Sequence, residues 1–584
     1  MLFGTRCTKT RKRTIGWLQQ TQSFYKENMT ETNRFRNSFG ENIFRYKYAQ
    51  GPGDTWDKLA ERLVEDVCGA RWGTTQALMS HAEQKQLIEY IKEMKFLPGG
   101  RYLYYAGRPY KAYNNCYLLR AEEDTREEWS AVTWRAMSCL MTGGGIGIDY
   151  SRLRPAGKAL SRTGGTASGP IPLMYAINEI GRNVMQGGSR RSAIYASLNW
   201  RHEDVDKFLH IKDWSPDVKA AKEKDFNAFA PLDMTNISVN YDDGAFMMKN
   251  GDPGSYSLAN NPVFVENCRQ ALMTGEPGFS FNFGKKQNET LRNACTEVTS
   301  EDDSDVCNLG SINLGNIESI DEFKSIVQLA SKFLVCGTLR ADLPYDKVHR
   351  VREKNRRLGL GLMGIHEWLL KRSAGYTVSP ELHKWLKVYQ QESETAANEH
   401  CDRFYLNHPA AYRAIAPTGS IGILAGTTTG IEPLFAVAYK RRFLTEGTKW
   451  KYQYVVDGTA QNLITEYGVD PSKIESAIDL SENYEQRIKF QADIQDYVDM
   501  SISSTINLPS WGSAGNNDKR VQSFTETLAK YAPRLRGFTC YPDGSRGGQP
   551  LTSVPYEDAI KSRDMIFDEV DICEFTGHGG SCGV

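Results

Sequence analysis

The 584-residue sequence lacks long apolar runs and has no excess of charge of either sign. Its start, MLFGTRCTKTRKR, has no signal-peptide core, and no stretch approaches the roughly 18 apolar residues that span a membrane. Lysine plus arginine and aspartate plus glutamate each total 71, so no net field draws the chain to nucleic acid or to an anionic membrane. We therefore expect a cytoplasmic protein, without membrane or nucleic-acid partners, whose ligands bind in local sites.

The sequence also lacks the common phosphate-binding motifs. No Walker A sequence occurs. The G-x-G-x-x-G string at residues 359–364 follows a charged run instead of a buried strand, so we interpret it as close helix packing and not as a dinucleotide site. Residues 417–423 (PTGSIGI) place hydroxyls and free backbone N–H groups at a turn, which would hold a phosphate if a helix starts there. The alternative is a plain turn.

Hydrophobic periodicity divides the chain into three parts. A helical N-terminal segment is predicted over residues 1–95, because apolar residues recur there at three- and four-residue spacing. Short apolar runs alternate with helical stretches over residues 96–535, which predicts a large α/β catalytic domain with buried strands. Residues 536–584 are expected to form one strand and a mobile, glycine-rich tail.

Twelve cysteines in a cytoplasmic chain of this size should be mostly reduced, which favours catalytic or redox roles. Cys295 lies between Asn293 and Glu297, with one residue separating each pair. In an extended segment these three side chains share a face, so a thiol, an amide and a potential base would converge. The alternative is a buried cysteine in a polar loop.

Two further pairs of cysteines stand out. Cys116 and Cys307 lie at the edges of strand-like runs, and if those strands are neighbours the pair can supply two electrons by forming a disulfide. Two structural cysteines are the alternative. Cys573 and Cys582 lie in the glycine-rich tail and could carry reducing equivalents. The alternative is a zinc site formed with His578, but the spacing of these residues fits no standard zinc pattern. We therefore predict no metal-binding residues.

These pieces recur in a recognisable order. The segments are FLPGGRYL and NNCYLL, MTGGGIGIDYSRLRP, GGTASGPIPLM, GGSRRSAIYASL, NACTE and CNLGSINL, RRLGLGLMGIHEWLL, PTGSIGILAGTTTGIEP, and DMSISSTINLP followed by YPDGSR. Together they resemble the catalytic subunits of ribonucleotide reductases, and the resemblance covers most of the chain. Each segment is weakly specific, whereas the ordered set is highly specific.

The resemblance implies a fold and a set of roles. The fold would be a ten-stranded α/β barrel, built from two antiparallel halves of five parallel strands, with Cys295 on a loop inside it. Cys295 would become the thiyl radical that takes the 3′-hydrogen of the ribose, with Glu297 as base and Asn293 bonded to the substrate hydroxyls. Cys116 and Cys307 would reduce the 2′-position and end as a disulfide.

The resemblance also implies binding sites and a route for electrons. Cys573 and Cys582 would reduce the internal disulfide, and a thioredoxin-like protein would then reduce the disulfide that forms between them. The substrate phosphate site would include Thr418, Gly419, Ser420 and Ile421, with Asn115 a further candidate. A loop containing Gln186 and Arg190 would relay the identity of deoxynucleotide or ATP effectors to the substrate site.

The radical source is indicated by what is missing. Reductases that import a radical from a metal-bearing subunit resemble one another in a tyrosine pair near the C-terminus, where residues 538–541 read FTCY here. The glycyl-radical signature is also lacking. The chain therefore resembles the class that uses adenosylcobalamin (class II), although the D-x-H-x-x-G corrinoid motif is absent.

The resemblance predicts a homodimer, because the segment between SRLRP and GGTASGP is short where monomeric cobalamin reductases carry a long insertion. Two alternatives remain open. The chain could be the large subunit of a two-subunit, di-metal (class I) reductase, or a non-catalytic nucleotide-sensing protein. The sequence does not distinguish diphosphate from triphosphate substrates.

Overall fold

The computed structural model describes residues 34–70, 76–161, 163–184, 192–225, 228–248, 252, 254–445, 449–545, 551–562 and 565–568. Its α-helices are α1 Ser38–Ile43, α2 Trp56–Cys68, α3 His81–Lys92, α4 Gly100–Tyr105, α5 Arg126–Met141, α6 Ile171–Asn183, α7 Val205–Leu209, α8 Pro216–Lys224, α9 Pro262–Thr274, α10 Ile320–Arg340, α11 Asp346–Asn355, α12 Ile365–Lys371, α13 Pro380–Arg403, α14 Gly419–Ala425, α15 Gly458–Tyr467, α16 Tyr484–Gln495, α17 Asp518–Tyr531 and α18 Tyr556–Lys561. The strands are β1 Phe96–Pro98, β2 Cys116–Arg120, β3 Gly145–Asp149, β4 Ile194–Asn199, β5 Thr235–Asp242, β6 Gly278–Asn282, β7 Leu291–Arg292, β8 Thr299–Ser300, β9 Asp305–Asn313, β10 Leu358–Met363, β11 Ala438–Thr445, β12 Lys449–Val456, β13 Thr505–Leu508, β14 Gly537–Pro542, β15 Leu551–Ser553 and β16 Ile566–Asp568.

The N-terminal helices pack on the outside of the large sheet. In α2, the buried residues Leu59, Leu63 and Val67 recur every four residues and form one apolar stripe. Thr55 caps the start of this helix by accepting a hydrogen bond from the Lys58 N–H. The stripe contacts α10, which is mostly buried and packs in turn on β9 and β10.

The first half of the barrel contains five parallel strands. Strands β2, β3, β4, β5 and β6 are adjacent in that order, and each pairs in parallel with the next. Their residues are nearly all buried because helices cover the outer face and other chain segments fill the inner one. Burial on both faces also includes the polar residues that alternate with apolar ones in β5 and β6, such as Ser238 and Ser280.

The second half runs antiparallel to the first and closes the ring. Strand β9 pairs in parallel with β10, and Leu360 of β10 forms a parallel bridge with Arg413 in the next extended segment. In that segment Ile415 forms a parallel bridge with Ile502. The chain continues from Ile502 into β13, which pairs in parallel with β14. The two halves meet where β2 pairs antiparallel with β9 and where β14 pairs antiparallel with β6. The predicted α/β fold with two antiparallel halves of five strands is confirmed.

Two sequence-based interpretations need correction. Residues 359–364 do not mark close helix packing, because residues 358–363 are the fully buried strand β10. Their glycines permit close strand contact: a Cβ on Gly361 would lie 2.7 Å from the Ala414 carbonyl oxygen. The barrel also extends past residue 535, since β14 is one of its ten strands.

A small antiparallel sheet follows the barrel. Its strand order is β15, β11, β12, β16, so two short C-terminal strands flank a hairpin inserted between α14 and α15. The predicted tail after residue 568 lies outside the described residues. Among the helices that are described, none has the length and apolar character needed to cross a membrane.

Candidate active site

A loop that carries Cys295 enters the barrel after β6. We call residues 291–300 the cysteine loop; its two short strands, β7 and β8, pair antiparallel and residues 293–298 form its tip. The Thr296 N–H donates to the Asn293 carbonyl at 3.0 Å, and Thr296 has a φ of 69°. The tip is therefore a tight turn, and the predicted extended conformation is wrong because this backbone bond reverses the chain.

Two glycines on β3 make room for the loop. A Cβ on Gly147 would lie 1.8 Å from the Arg292 carbonyl oxygen, and one on Gly145 would lie 3.0 Å from the Ala294 Cβ. Successive residues of a strand alternate between faces, so these two glycines leave the inner face of β3 without side chains where the loop passes. This is the physical reason for the GIG sequence within GGGIGID.

Gly147→Ala is expected to lower the free energy of unfolding by about 1–3 kcal/mol and to reduce turnover, because the added methyl overlaps backbone that cannot rotate away. Gly375→Ala is the matched control, since no atom lies within 4 Å of its Cβ position. Urea unfolding of both variants measures the difference. Equal stability of the two variants would contradict the tight passage of the loop past β3.

Two thiols face each other beneath the loop tip. Cys116 on β2 and Cys307 on β9 are direct partners across the antiparallel pair, and both belong to one buried apolar cluster. The Asn293 amide nitrogen lies 3.0 Å from the Cys116 sulfur, and the Cys116 thiol donates to Glu297 Oε1 at 3.7 Å. Burial, followed by the charge of Glu297, raises the pKa of both thiols, so both are protonated at neutral pH.

Glu297 is a buried carboxyl group with spare hydrogen-bonding capacity. It is 1% exposed, and burial raises its pKa to about 7. Its Oε2 atom has no hydrogen-bond partner among the described residues. The Ser501 N–H holds its backbone carbonyl at 2.8 Å, and Asn293 Oδ1 accepts from the Val298 N–H at 2.9 Å. The carboxyl group is therefore fixed in place with one oxygen available to a ligand.

Cys295 differs from its neighbours in exposure. Its side chain is exposed, whereas Asn293 and Glu297 are each 1% exposed. A tip that exposes one thiol and keeps an amide and a carboxyl group buried beside it can present that thiol to a bound ligand.

The predicted phosphate turn has the required local structure. Thr418 adopts a left-handed conformation with a φ of 52°, and α14 begins at Gly419. Thr418 Oγ1 accepts from the Gly430 N–H at 2.8 Å, which leaves its own hydrogen available, and no atom lies within 4 Å of a Cβ built on Gly419. Ser420 Oγ accepts from Lys47 Nζ at 3.1 Å. The turn is close to the thiols, since Ala416 belongs to their cluster.

Comparison with known proteins identifies the family. Residues 114–246, 263–399 and 408–532, most of the chain, match the model of the ribonucleotide reductase barrel domain. The chain belongs to the ribonucleotide reductase family.

Individual relatives agree with this assignment. A Mycobacterium tuberculosis (strain CDC 1551 / Oshkosh) protein named vitamin B12-dependent ribonucleoside-diphosphate reductase is 26% identical, over 88% of this chain and 80% of its own length. A Mycobacterium phage D29 protein named putative adenosylcobalamin-dependent ribonucleoside-triphosphate reductase is 27% identical, over 71% of this chain and 67% of its own. The crystal structure of a B12-dependent (class II) ribonucleotide reductase superposes with a TM-score of 0.68 at 16% identity, covering 94% of this chain and 96% of that one, and so shows the fold.

The predicted site residues of this reductase fall into three groups, the first of which is the phosphate turn, residues 418–421. The structure brings together Asn293, Cys295, Glu297, Cys116 and Cys307, and Asn115 directly precedes Cys116 with a buried Oδ1 atom that has no partner among the described residues. Four other predicted residues lie outside the described part of the chain: Gln186, Arg190, Cys573 and Cys582.

The sequence analysis missed residues of the reductase that support this site. Met500 is fully buried in the same cluster as the two thiols, and the Ser501 N–H holds the Glu297 carbonyl. Arg292, directly before the tip, is fully buried against the carbonyls of Phe281 and Arg536. The glycine alternation on β3 was the one available signal, because it indicates close approach of another chain segment.

Proposed function

We propose that this chain reduces ribonucleotides to 2′-deoxyribonucleotides through a radical on Cys295, with adenosylcobalamin as the radical source. The observation that carries the proposal is the arrangement at the loop tip: an exposed thiol stands beside a buried carboxyl group with a free oxygen, above two neutral thiols on adjacent strands. The reaction needs a hydrogen acceptor, a base and a two-electron reductant, and this site contains one group suited to each.

The residues divide the chemistry between them. The Cys295 radical removes the 3′-hydrogen of the ribose as Glu297 accepts the 3′-hydroxyl proton. The 2′-hydroxyl leaves as water after a thiol of the Cys116 and Cys307 pair protonates it. The pair then supplies the remaining hydrogen and electron and becomes a disulfide, Glu297 returns the proton to the 3′-oxygen, and Cys295 returns hydrogen to the 3′-carbon. In sum, two thiols and one ribonucleotide give one disulfide, one water and one deoxyribonucleotide.

Asn293 and the phosphate turn would orient the substrate. Asn293 holds its amide between the Cys116 sulfur and the Val298 N–H, where it can also bond a ribose hydroxyl. The N–H groups of Gly419, Ser420 and Ile421 and the Thr418 hydroxyl would bind the phosphates, with Asn115 offering a further polar group. Diphosphate is the first substrate to test, because the Mycobacterium tuberculosis relative is named for it.

Adenosylcobalamin would approach the site from the side on which Cys295 is exposed. When bound, it would supply a carbon radical by homolysis of its cobalt–carbon bond. The residue suited to face it is Cys295, the exposed thiol of the tip. A tyrosine relay from a second subunit has little support in β14, where Phe538 packs against Phe279 and the Cys540 thiol donates to the Ala271 carbonyl.

An activity assay tests the proposal. The purified full chain, supplied with adenosylcobalamin, a small dithiol and a ribonucleoside diphosphate or triphosphate, should form deoxyribonucleotide without another protein. Turnover that appears only with a metal-bearing subunit would instead support the two-subunit alternative. No turnover under either condition would favour a nucleotide-sensing protein.

Glu297 should impose a pH dependence on turnover. A base must be ionised, so with a pKa of about 7 the rate should fall as the pH drops below 7 and level off above it. Glu297→Gln should lower turnover by about 10²–10⁴-fold and remove this dependence. A pH–rate profile of kcat for both proteins measures this, and an unchanged profile in the variant would exclude Glu297 as the base.

The same carboxyl group gives a second measurement that is independent of activity. Its folded-state pKa is raised, so burial costs stability once the unfolded chain ionises, and the cost is complete above pH 7. Glu297→Gln should therefore be more stable than the unmodified chain by up to about 3 kcal/mol at pH 8, with the difference shrinking toward pH 5. If Glu297→Gln loses turnover but gains stability, the lost turnover reflects the missing base and not a damaged fold.

We further propose that Cys573 and Cys582 pass electrons from a thioredoxin-like protein to the internal disulfide, that Gln186 and Arg190 belong to the effector-responsive loop, and that the enzyme is a homodimer. The double variant Cys573→Ser, Cys582→Ser tests the first of these. It should retain turnover with a small dithiol that reaches the barrel directly and lose it with thioredoxin. Equal loss with both reductants would contradict a relay.

A further inference from the structure

Four cationic side chains crowd the base of the cysteine loop. They are Lys286, Arg292, Arg357 and Arg536, and the three arginines are 1%, 4% and 7% exposed. They are close neighbours: Arg292 Nη2 and Arg536 Nε both donate to the Phe281 carbonyl, at 3.3 Å each. This positive cluster lies at the opposite end of the loop from Cys295.

Carboxylates neutralise only part of this charge. Glu289 pairs with Arg536 at 3.0 Å, and Asp305 pairs with Arg357 at 2.7 Å. The hydrogen bonds of Arg292 go to neutral groups, the carbonyls of Glu289, Leu291, Phe281 and Arg536 and the side-chain amide of Asn282. Lys286 donates to the backbone carbonyl of Asp499. Within the described ranges, neither Arg292 nor Lys286 forms an ion pair with a carboxylate.

The cluster also holds unused donors. Arg292 Nε, Arg357 Nη1 and Arg536 Nη1 are buried and have no partner among the described residues. Buried N–H groups are nearly always paired, and a buried charge needs a counter-charge. Burial, and then the neighbouring Arg536, lower the pKa of Arg292 to about 9 and that of Lys286 to about 8, although Glu289 raises both.

We propose that a compact inorganic anion binds at the base of the cysteine loop, among Arg292, Arg536 and Lys286. The anion supplies the missing negative charge and accepts the unused N–H groups, which ordered water can do only in part. It enters past Lys286 and Glu289, the half-buried members of the cluster. It also holds the side chain of Arg292 in place, the residue whose carbonyl oxygen packs on the Cα of Gly147 in β3. The inference does not depend on the proposed radical chemistry.

Thermal unfolding of the full chain tests the site. The melting temperature is measured against sodium chloride, sodium phosphate and sodium gluconate at matched ionic strength, because gluconate screens charge but is too large for a buried position. Chloride or phosphate should raise the melting temperature saturably above gluconate, as for a ligand that binds only the folded state. Identical responses to all three salts would show screening alone and would overturn the proposal.

Two lysine variants locate the effect. Lys286→Gln removes one charge from the mouth of the cluster and should weaken the apparent anion affinity by at least about tenfold. Lys285→Gln is the matched control, since Lys285 is the exposed neighbour outside the cluster, and it should respond as the unmodified chain does. A Lys286→Gln response equal to that of Lys285→Gln would refute the site.

A direct binding measurement keeps the test independent of folding. The chloride NMR linewidth should broaden in the presence of the unmodified chain and narrow when phosphate is added as competitor. The same broadening should persist with Lys285→Gln and diminish with Lys286→Gln. Broadening that phosphate leaves unchanged, or that is equal in the two variants, would place the chloride elsewhere and exclude this site.

Discussion

Cys295→Ser is expected to reduce deoxyribonucleotide formation by at least about a thousandfold, which corresponds to about 4 kcal/mol of barrier. A serine O–H bond is much stronger than a thiol S–H bond, so the radical would not pass to the loop tip. The assay counts deoxyribonucleotides formed per chain with adenosylcobalamin and a dithiol. Because the Cys295 side chain is exposed, thermal unfolding should be nearly unchanged, so lost turnover would not reflect lost fold.

Cys540→Ser is the control for the loss of a thiol as such. Cys540 is buried on β14 and its thiol donates to the Ala271 carbonyl, a bond that a serine hydroxyl can also make. This variant should keep most of the turnover. Full activity in Cys295→Ser would exclude the radical role, and equal inactivation of both variants would point to a general requirement for thiols instead of a specific one.

The architecture of the barrel could be predicted from the sequence because its strands are buried on both faces. A run such as CYLL has no polar face, which is typical of a parallel sheet that is covered on both faces. The closure of the ring could not be predicted this way. It depends on single bridges, Leu360 to Arg413 and Ile415 to Ile502, in segments too short to show a strand pattern.

Candidate residues for the site could be proposed from the sequence, but the geometry of the loop that carries three of them could not be predicted. Alternation along an extended segment predicted that Asn293, Cys295 and Glu297 share a face. In the structure Asn293 and Glu297 converge on Cys116 while Cys295 is exposed, and the backbone between them turns. The left-handed conformation of Thr296 gave no sequence signal, since threonine rarely adopts it and glycine was absent. Tertiary contacts, including the Ser501 bond to the Glu297 carbonyl, hold this turn in place.

The cationic cluster shows a stricter limit. Its members come from three separate parts of the chain: residues 286 and 292 near the cysteine loop, residue 357 and residue 536. No periodicity connects them, and each is unremarkable as a single lysine or arginine. Their positive charges come together only because the fold places the entry to the cysteine loop beside the start of β14, and the sequence alone does not indicate this.

Cys307→Ser should abolish deoxyribonucleotide formation, to below about a hundredth of the normal rate, while hydrogen abstraction from the substrate continues. The Cys307 thiol donates to the Asn308 carbonyl at 3.3 Å, and a serine hydroxyl can replace that bond, so the loop tip should remain intact. Cys295 and Glu297 would then still act at the 3′-position. Without the second thiol the disulfide cannot form, and the 2′-position lacks its two-electron reductant.

The two steps can be measured separately in this variant. Hydrogen taken from the 3′-carbon resides on the Cys295 thiol, which exchanges with water, so 3′-tritiated substrate should release tritium although no deoxyribonucleotide forms. Cys139 is a buried thiol on α5, and the control variant Cys139→Ser should release tritium and form deoxyribonucleotide at normal rates. If Cys307→Ser still made deoxyribonucleotide with a small dithiol, the facing thiols would be structural partners on β2 and β9, and the reductant would lie elsewhere. Tritium release without product would instead assign abstraction to the loop tip and reduction to the strands beneath it.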